Sequence, residues 1–184
     1  VSVKPEQDLG FADTLRAALC QDQDVLLIGE IRDEETANIA VKAALTGHLV
    51  LSTLHSSDAV TAIQRLLNLG IAPDLLAETL TVIVSQRLVR RLCSHQNRNK
   101  SNPLTSDKNC LRCRGTGYSG RIPVYEILKV NSLVRDRIQA GDTGRKLIRP
   151  EPELYFHTME QTAQRLTKEG LTDWKEVQPL LLNV

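Results

Sequence analysis

Two short apolar runs, separated by one helix-length segment, constrain this chain more than any other feature. Val25-Leu26-Leu27-Ile28 and Leu49-Val50-Leu51-Ser52-Thr53 lack polar alternation and are too short for helices. Such runs read as strands buried on both faces of a parallel sheet. Between them, Asp33 stands where a helix N-cap belongs, and Glu34 and Glu35 fill the first turn. Ala37, Ala40, Val41, Ala44 and Leu45 then share one face, and Gly47 supplies the stop. A further helix follows the second run, with Ala59, Ile63, Leu66 and Leu67 at helical spacing and Gly70 at its end. Another precedes the first run, around Phe11–Cys20, with Phe11, Leu15, Ala18 and Leu19 on one face. Strand, helix, strand, helix is the order of an α/β fold.

Beyond Gly70 the pattern changes. Pro73-Asp74 opens a segment whose Leu76, Leu80, Val84, Leu88 and Leu92 fall four apart, which predicts one helix to about Leu92. Arg87, Arg90 and Arg91 then sit near its C-terminus, where cations are favoured. No stacking aromatics accompany them, so they are not read as a nucleic-acid patch. Ser94 to Asn109 is polar and reads as a loop, and Gly115 to Gly120 is a glycine-rich turn. Arg121–Val130 reads as extended. Helices are expected at Ser132–Gln139, Glu153–Lys168 and Thr172–Leu182, the last with a cap in Thr172-Asp173. The expected organisation is a core over residues 1–92, a cysteine-bearing insertion over 93–120, and an extended segment with a helical subdomain over 121–184.

A net charge of +1 over 184 residues leaves no global electrostatic footprint for nucleic acid or an anionic membrane. No apolar run approaches the roughly 18 residues that cross a bilayer. The first residues have neither the basic start nor the apolar stretch of a signal peptide. These readings place the chain in the cytosol. Of the four cysteines, Cys93, Cys110 and Cys113 gather in one region, which in a cytosolic chain argues for metal rather than disulfides. Cys20 stands apart and reads as a small buried hydrophobe.

The first strand ends at Glu30. A rigid strand holds a carboxylate at the carboxyl edge of the sheet, where open α/β sheets bind ligands. There it can orient or deprotonate water for attack on a γ-phosphate. The second strand brings Ser52, Thr53 and His55 to the same edge, where hydroxyls and an imidazole can sense a phosphate. Many strands end in Glu, and a lone histidine more often bonds a loop, so each feature alone has a structural reading too.

Four ordered blocks remove much of that ambiguity. Val25 to Ala37, containing Gly29-Glu30-Ile31-Arg32-Asp33, resembles the Walker B box of secretion and pilus-assembly ATPases. Thr46-Gly47-His48-Leu49-Val50-Leu51-Ser52-Thr53-Leu54-His55 resembles their histidine box. Gln86 to Cys93 and Gly115 to Arg121 follow in family order. The nearest branch is the type II secretion and type IV pilus assembly ATPases, which carry a cysteine motif between the last two blocks. The resemblance implies part of a RecA-like P-loop NTPase sheet with helices on both faces, followed by a cysteine-containing loop and a C-terminal helical segment. It implies Glu30 as the catalytic glutamate, Arg32 as its partner in the same loop, and His55 with His48 as the histidine-box residues. It further implies a homo-hexameric ring using ATP and Mg²⁺, peripheral at the inner membrane through platform proteins of a secretion or pilus apparatus, with no nucleic-acid partner.

The phosphate-binding loop, Gly-x-x-x-x-Gly-Lys-Ser/Thr, occurs nowhere in these residues. The resemblance places it upstream of Val1, so the chain is expected to be the C-terminal part of a longer ATPase and inactive alone. The alternative is a non-catalytic, decayed or scaffold subunit of such an assembly. A third reading, a cysteine-knuckle module for nucleic acid, ranks below both. Against the family pattern, Cys20 replaces an arginine, Gln23 a proline and Gln96 a cysteine. Cys110-Leu111-Arg112-Cys113 is a good zinc knuckle. With Gln96 in place of a thiol, the expected Zn²⁺ ligands are Cys93, Cys110, Cys113 and His95.

Overall fold

The computed structural model describes residues 11–19, 21, 23–94 and 110–181. Their backbone falls into two units. One comprises residues through Ile83 together with Lys129–Tyr155, and the other Val84–Leu128 together with Phe156 onward.

The first unit starts with α1 (Phe11–Leu19), β1 (Val25–Ile28), α2 (Glu34–Leu45) and β2 (Leu49–Ser52). β1 and β2 pair in parallel, Val25 opposite Leu49 through Ile28 opposite Ser52. Local chemistry sets α2 at both ends. Asp33 Oδ1 accepts from the Thr36 amide at 2.8 Å, and Gly47 turns the chain out at φ +98°, a conformation that favours glycine. α3 (Ala59–Asn68) begins in a capping box, the Asp58 carboxylate and the Thr61 side chain each bonding the other's backbone amide. It ends at Gly70, whose φ of +85° plays the same part. α4 is Pro73–Thr79. After the excursion into the second unit come α5 (Ser132–Gln139) and a 3-10 turn over Gly144–Lys146. The core is aliphatic, with Ile28, Ala37, Ile63, Leu76, Val134 and Ile138 almost wholly enclosed. Arg137, buried on α5, ties this last segment together. It donates to the carbonyls of Leu147 and Arg149 at 3.1 and 3.0 Å and pairs with Glu151.

The expected burial of both strand faces does not hold within this chain. Leu26 and Ile28 are enclosed, but Val25, Leu27, Leu49 and Leu51 are exposed, Leu27 at 75%. Strand alternation puts these four on the other face. An apolar run records that both faces are greasy, and no described segment covers this one.

The second unit corrects a larger expectation. The helix predicted from Pro73 to Leu92 stops at Thr79, and Val82–Leu92 is a strand, β3. Thr79, Thr81, Val82, Ile83 and Val84 are β-branched, which disfavours continuing the helix and suits a strand. The four-residue leucine spacing coincided with a strand alternation. Arg87, Arg90 and Arg91 therefore stand on a strand, not at a helix end. β4 (Tyr118–Lys129) and β5 (Phe156–His157) complete a sheet in the order β3-β4-β5. α6 (Met159–Lys168) starts at a Thr158–Gln161 capping box, well after the predicted Glu153. α7 spans Trp174–Leu181. Its cap is Asp173, whose Oδ1 accepts from the Lys175 and Glu176 amides at 2.7 and 3.2 Å. Val89, Val124, Met159, Ala163, Leu166 and Val177 form the core.

Arg90 locks α7 to this sheet. Its guanidinium lies 4.1 Å over the Tyr118 ring and grips Glu176 with Nε–Oε2 at 2.8 Å and Nη2–Oε1 at 2.5 Å. The Tyr118 hydroxyl donates to Asp173. Burial, reinforced by that carboxylate, pushes the phenol up to about 12.

Candidate functional site at the carboxyl end of the parallel strands

Beyond the last ladder pair, the two strands stay joined. The Ile31 amide donates to the Thr53 carbonyl at 3.1 Å, and Thr53 Oγ1 donates to the Gly29 carbonyl at 2.6 Å. Glu30 lies between these two anchors. The parallel register carries the chain after Thr53 to the same edge, and this brings His55 to Glu30.

Glu30 is the inner member of the group, with its side chain 17% exposed, against 73% for Arg32 and 80% for His55. Its Oε2 accepts from Arg32 Nε at 2.7 Å, with Nη2 at 2.6 Å. Its Oε1 lies 2.8 Å from His55 Nε2. That contact is off the hydrogen-bonding direction, so the buried Oε1 has no aligned donor among the described residues. The hydrogen bond from Arg32 holds the carboxyl below its ordinary value. Partial burial opposes this, and the charges of Arg32, His55 and Arg65 assist it.

Glu30 is therefore an ionised carboxylate with one oxygen committed to Arg32 and the other open to a donor. So held, it is a weak base and a good acceptor, better suited to orienting water than to deprotonating it. Loosening Arg32 would strengthen it as a base.

His48 is not part of this group. It precedes β2, at the amino end of the strand pair, whereas Glu30 follows β1 at the carboxyl end. Its Nδ1 lies 3.0 Å from the Ala43 carbonyl and 3.1 Å from Thr46 Oγ1, against the C-terminus of α2. The Thr53 hydroxyl is likewise used up on the Gly29 carbonyl. Arg65 was missed in the sequence. An arginine in the middle of an amphipathic helix looks like any solvated face, and only packing brings its charge to bear on Glu30.

In the second unit the structure gathers the thiols of Cys93, Cys110 and Cys113. Their sulfurs all lie within 4.8 Å of one another, Cys93 and Cys110 at 3.9 Å. None of the three is in a disulfide. Zn–S bonds of about 2.3 Å set tetrahedral sulfurs about 3.8 Å apart, so the three fit one zinc ion with little adjustment. The turn is built for this. Arg114 takes φ +50°, Gly115 and Gly117 are also left-handed, and the Arg114 amide closes on the Cys110 carbonyl at 2.7 Å. Hydrogen bonds from the Cys113 and Arg112 backbone bring the Cys110 thiol down to about 7, nearer the thiolate that a metal requires. His95, the expected fourth ligand, lies outside the described residues, as do Cys20 and Gln96.

A parallel strand pair with a carboxylate, an arginine and a histidine at its carboxyl end places the chain among α/β proteins whose candidate site lies at that edge of the sheet. The type II/IV secretion system protein family model matches residues 1–179, and the chain belongs to that family. It is 42% identical over 189 aligned residues to the type II secretion system protein E of Klebsiella pneumoniae, covering 95% of this chain and 38% of that protein. It is 39% identical to the type IV pilus assembly ATPase PilB of Thermus thermophilus, covering 95% of this chain and 22% of that one. The crystal structure of the pilus retraction motor PilT with bound ADP superposes at TM-score 0.70 and 30% identity, over 96% of this chain and 45% of PilT. The fold is accordingly a part of the RecA-like α/β architecture, and the chain spans less than half the length of each of these relatives. Among the described residues no helix is long and apolar enough to cross a membrane.

Proposed function

We propose that this chain is the carboxylate-bearing part of an ATPase that drives protein secretion or pilus assembly, acting with a P-loop segment that these residues do not include. One observation carries the reading: Glu30, Arg32 and His55 converge at the carboxyl end of two parallel strands. The names of the relatives support the kind of work, secretion or pilus assembly. Glu30 orients the attacking water through its open Oε1. His55, exposed beside it, senses the γ-phosphate. Arg32 holds the carboxylate ionised until nucleotide draws the guanidinium away. His48 serves the histidine box by fixing the turn that launches β2. The P-loop supplies the phosphate cradle and the Mg²⁺ ligand, so the chain alone is inactive.

In the assembled protein we place six copies in a ring, docked on platform proteins at the inner membrane. The cysteine knuckle, with Cys93, Cys110 and Cys113 and with His95 as fourth ligand, holds a structural zinc ion.

The test is Glu30→Gln in a P-loop-bearing protein that contains this chain. Turnover should fall by roughly 10²-fold or more while ATP binding persists. Unchanged turnover would sink the catalytic role of Glu30 and favour the alternative, a scaffold subunit of the same assembly. Hydrolysis by the isolated 184-residue chain would overturn the claim that it is inactive alone.

A further inference from the structure

The three knuckle thiols are not equivalent. Cys93 and Cys113 are each 4% exposed, whereas Cys110 is only partly buried and open to small solutes. The Cys93 sulfur lies 3.9 Å from the Cys110 sulfur. Hydrogen bonds hold the two segments together from both sides. Cys93, just past β3, donates its amide to the Gly117 carbonyl at 2.8 Å. Arg112, two residues after Cys110, donates to Ser94 Oγ and to Ser119 Oγ, both at 3.3 Å. The turn that carries Cys110 is thereby tied to the residue after Cys93 and to the start of β4. Cys110 and Cys113, by contrast, belong to one turn whose carbonyls are already engaged. The Arg114 amide closes on the first at 2.7 Å and Thr116 Oγ1 on the second at 2.6 Å. An S–S bond is about 2.05 Å long, so joining Cys93 to Cys110 takes a movement of about 2 Å shared between two side chains.

We propose that Cys110 is a site of reversible oxidation by hydroperoxides, with Cys93 as the resolving thiol that closes a disulfide. The Cys110 sulfur gives an electron pair to one peroxide oxygen, and the O–O bond breaks. The thiol proton leaves with the second oxygen as water, and Cys110 becomes a sulfenic acid. The Cys93 sulfur then attacks the Cys110 sulfur. The S–O bond breaks, and the hydroxyl leaves with the Cys93 proton as a second water. Two thiols are oxidised by two electrons in all, and one hydrogen peroxide is reduced. Cys113 stays a thiol, and a thiol reductant reverses the link by exchange. A disulfide sulfur is no thiolate ligand, so two of the three sulfur donors are lost at once and a bound zinc ion is released. That release rests on the reading of the knuckle as a zinc site; the disulfide itself does not.

The experiment treats the 184-residue chain with hydrogen peroxide, blocks the remaining thiols with iodoacetamide and maps the peptides by mass spectrometry. A peptide linking Cys93 to Cys110 is expected, with Cys113 alkylated and full reversal by dithiothreitol. In urea the preference for Cys93 should vanish, because the fold sets it. In Cys93→Ser the sulfenic acid should persist on Cys110 and be captured by dimedone. With zinc loaded beforehand, a chromogenic chelator should report one ion freed per link. A link from Cys110 to Cys113 or to Cys20 instead, or the same pairing in urea as in buffer, would overturn the proposal. So would Cys93, Cys110 and Cys113 all remaining alkylatable. Should Cys93→Ser not fold, the map of the unsubstituted chain decides alone. A chain that forms the link but takes up no zinc counts against the metal reading only. Zinc retained with all three thiols intact counts against the oxidation only.

Discussion

Thr53 Oγ1 donates to the Gly29 carbonyl at 2.6 Å, just past the last pair of the β1–β2 ladder. With the Ile31 amide on the Thr53 carbonyl, it makes the chain after each strand part of one rigid edge. Glu30 and His55 meet because of this stitch. Thr53→Val keeps the β-branched shape and removes the donor. We expect a loss of about 1 kcal/mol, read as a melting temperature lower by about 2–4 °C, with the Glu30 signal displaced in NMR spectra.

The Arg90–Glu176 grip gives a pH signature. The Arg90 hydrogen bond holds the Glu176 carboxyl below its ordinary value, against partial burial. A carboxylate with a depressed folded-state value contributes stability that is complete above its unfolded value, about 4.3, and lost as pH falls through the folded value. Glu176→Gln should therefore lower the melting temperature at pH 7 and differ progressively less from the parent below about pH 4. A gap that persists at pH 2 would assign the effect to packing instead.

The three clustered thiols predict a metal dependence. The chain should bind one equivalent of Zn²⁺ and melt higher with it, since a ligand of the folded state stabilises by mass action. Cys113→Ser should weaken binding more than roughly tenfold, because losing even a group that only orients a ligand costs that much. Identical melting with zinc and with chelator would remove the metal from the account.

The uncovered strand face can be tested by neighbouring leucines. Leu26 is 8% exposed and Leu27 75%. Leu26→Asn should cost at least roughly 3 kcal/mol, through a cavity and an unpaired buried amide. Leu27→Asn should leave the melting temperature of this chain within about 1 °C and reduce self-association, as expected for a parallel sheet with one bare face. Equal losses at the two positions would contradict the register.

What was legible in the sequence is what short-range chemistry decides. Asp33, Gly47 and Gly70 bound their helices by capping and by backbone handedness, which need only a few neighbouring residues. The apolar runs named β1 and β2, and the ordered blocks around Glu30 and His55 named the family. Tertiary structure decided the rest. β3 carried two periodicities at once, and pairing with β4, whose sequence begins 26 residues after β3 ends, settled which one the backbone follows. His48 and His55 belong to one sequence box, yet parallel pairing sends them to opposite ends of a strand. Arg65 has no local signature at all. Its charge acts on Glu30 across 35 positions of sequence, a relation that the packing of α3 sets and neither neighbourhood records.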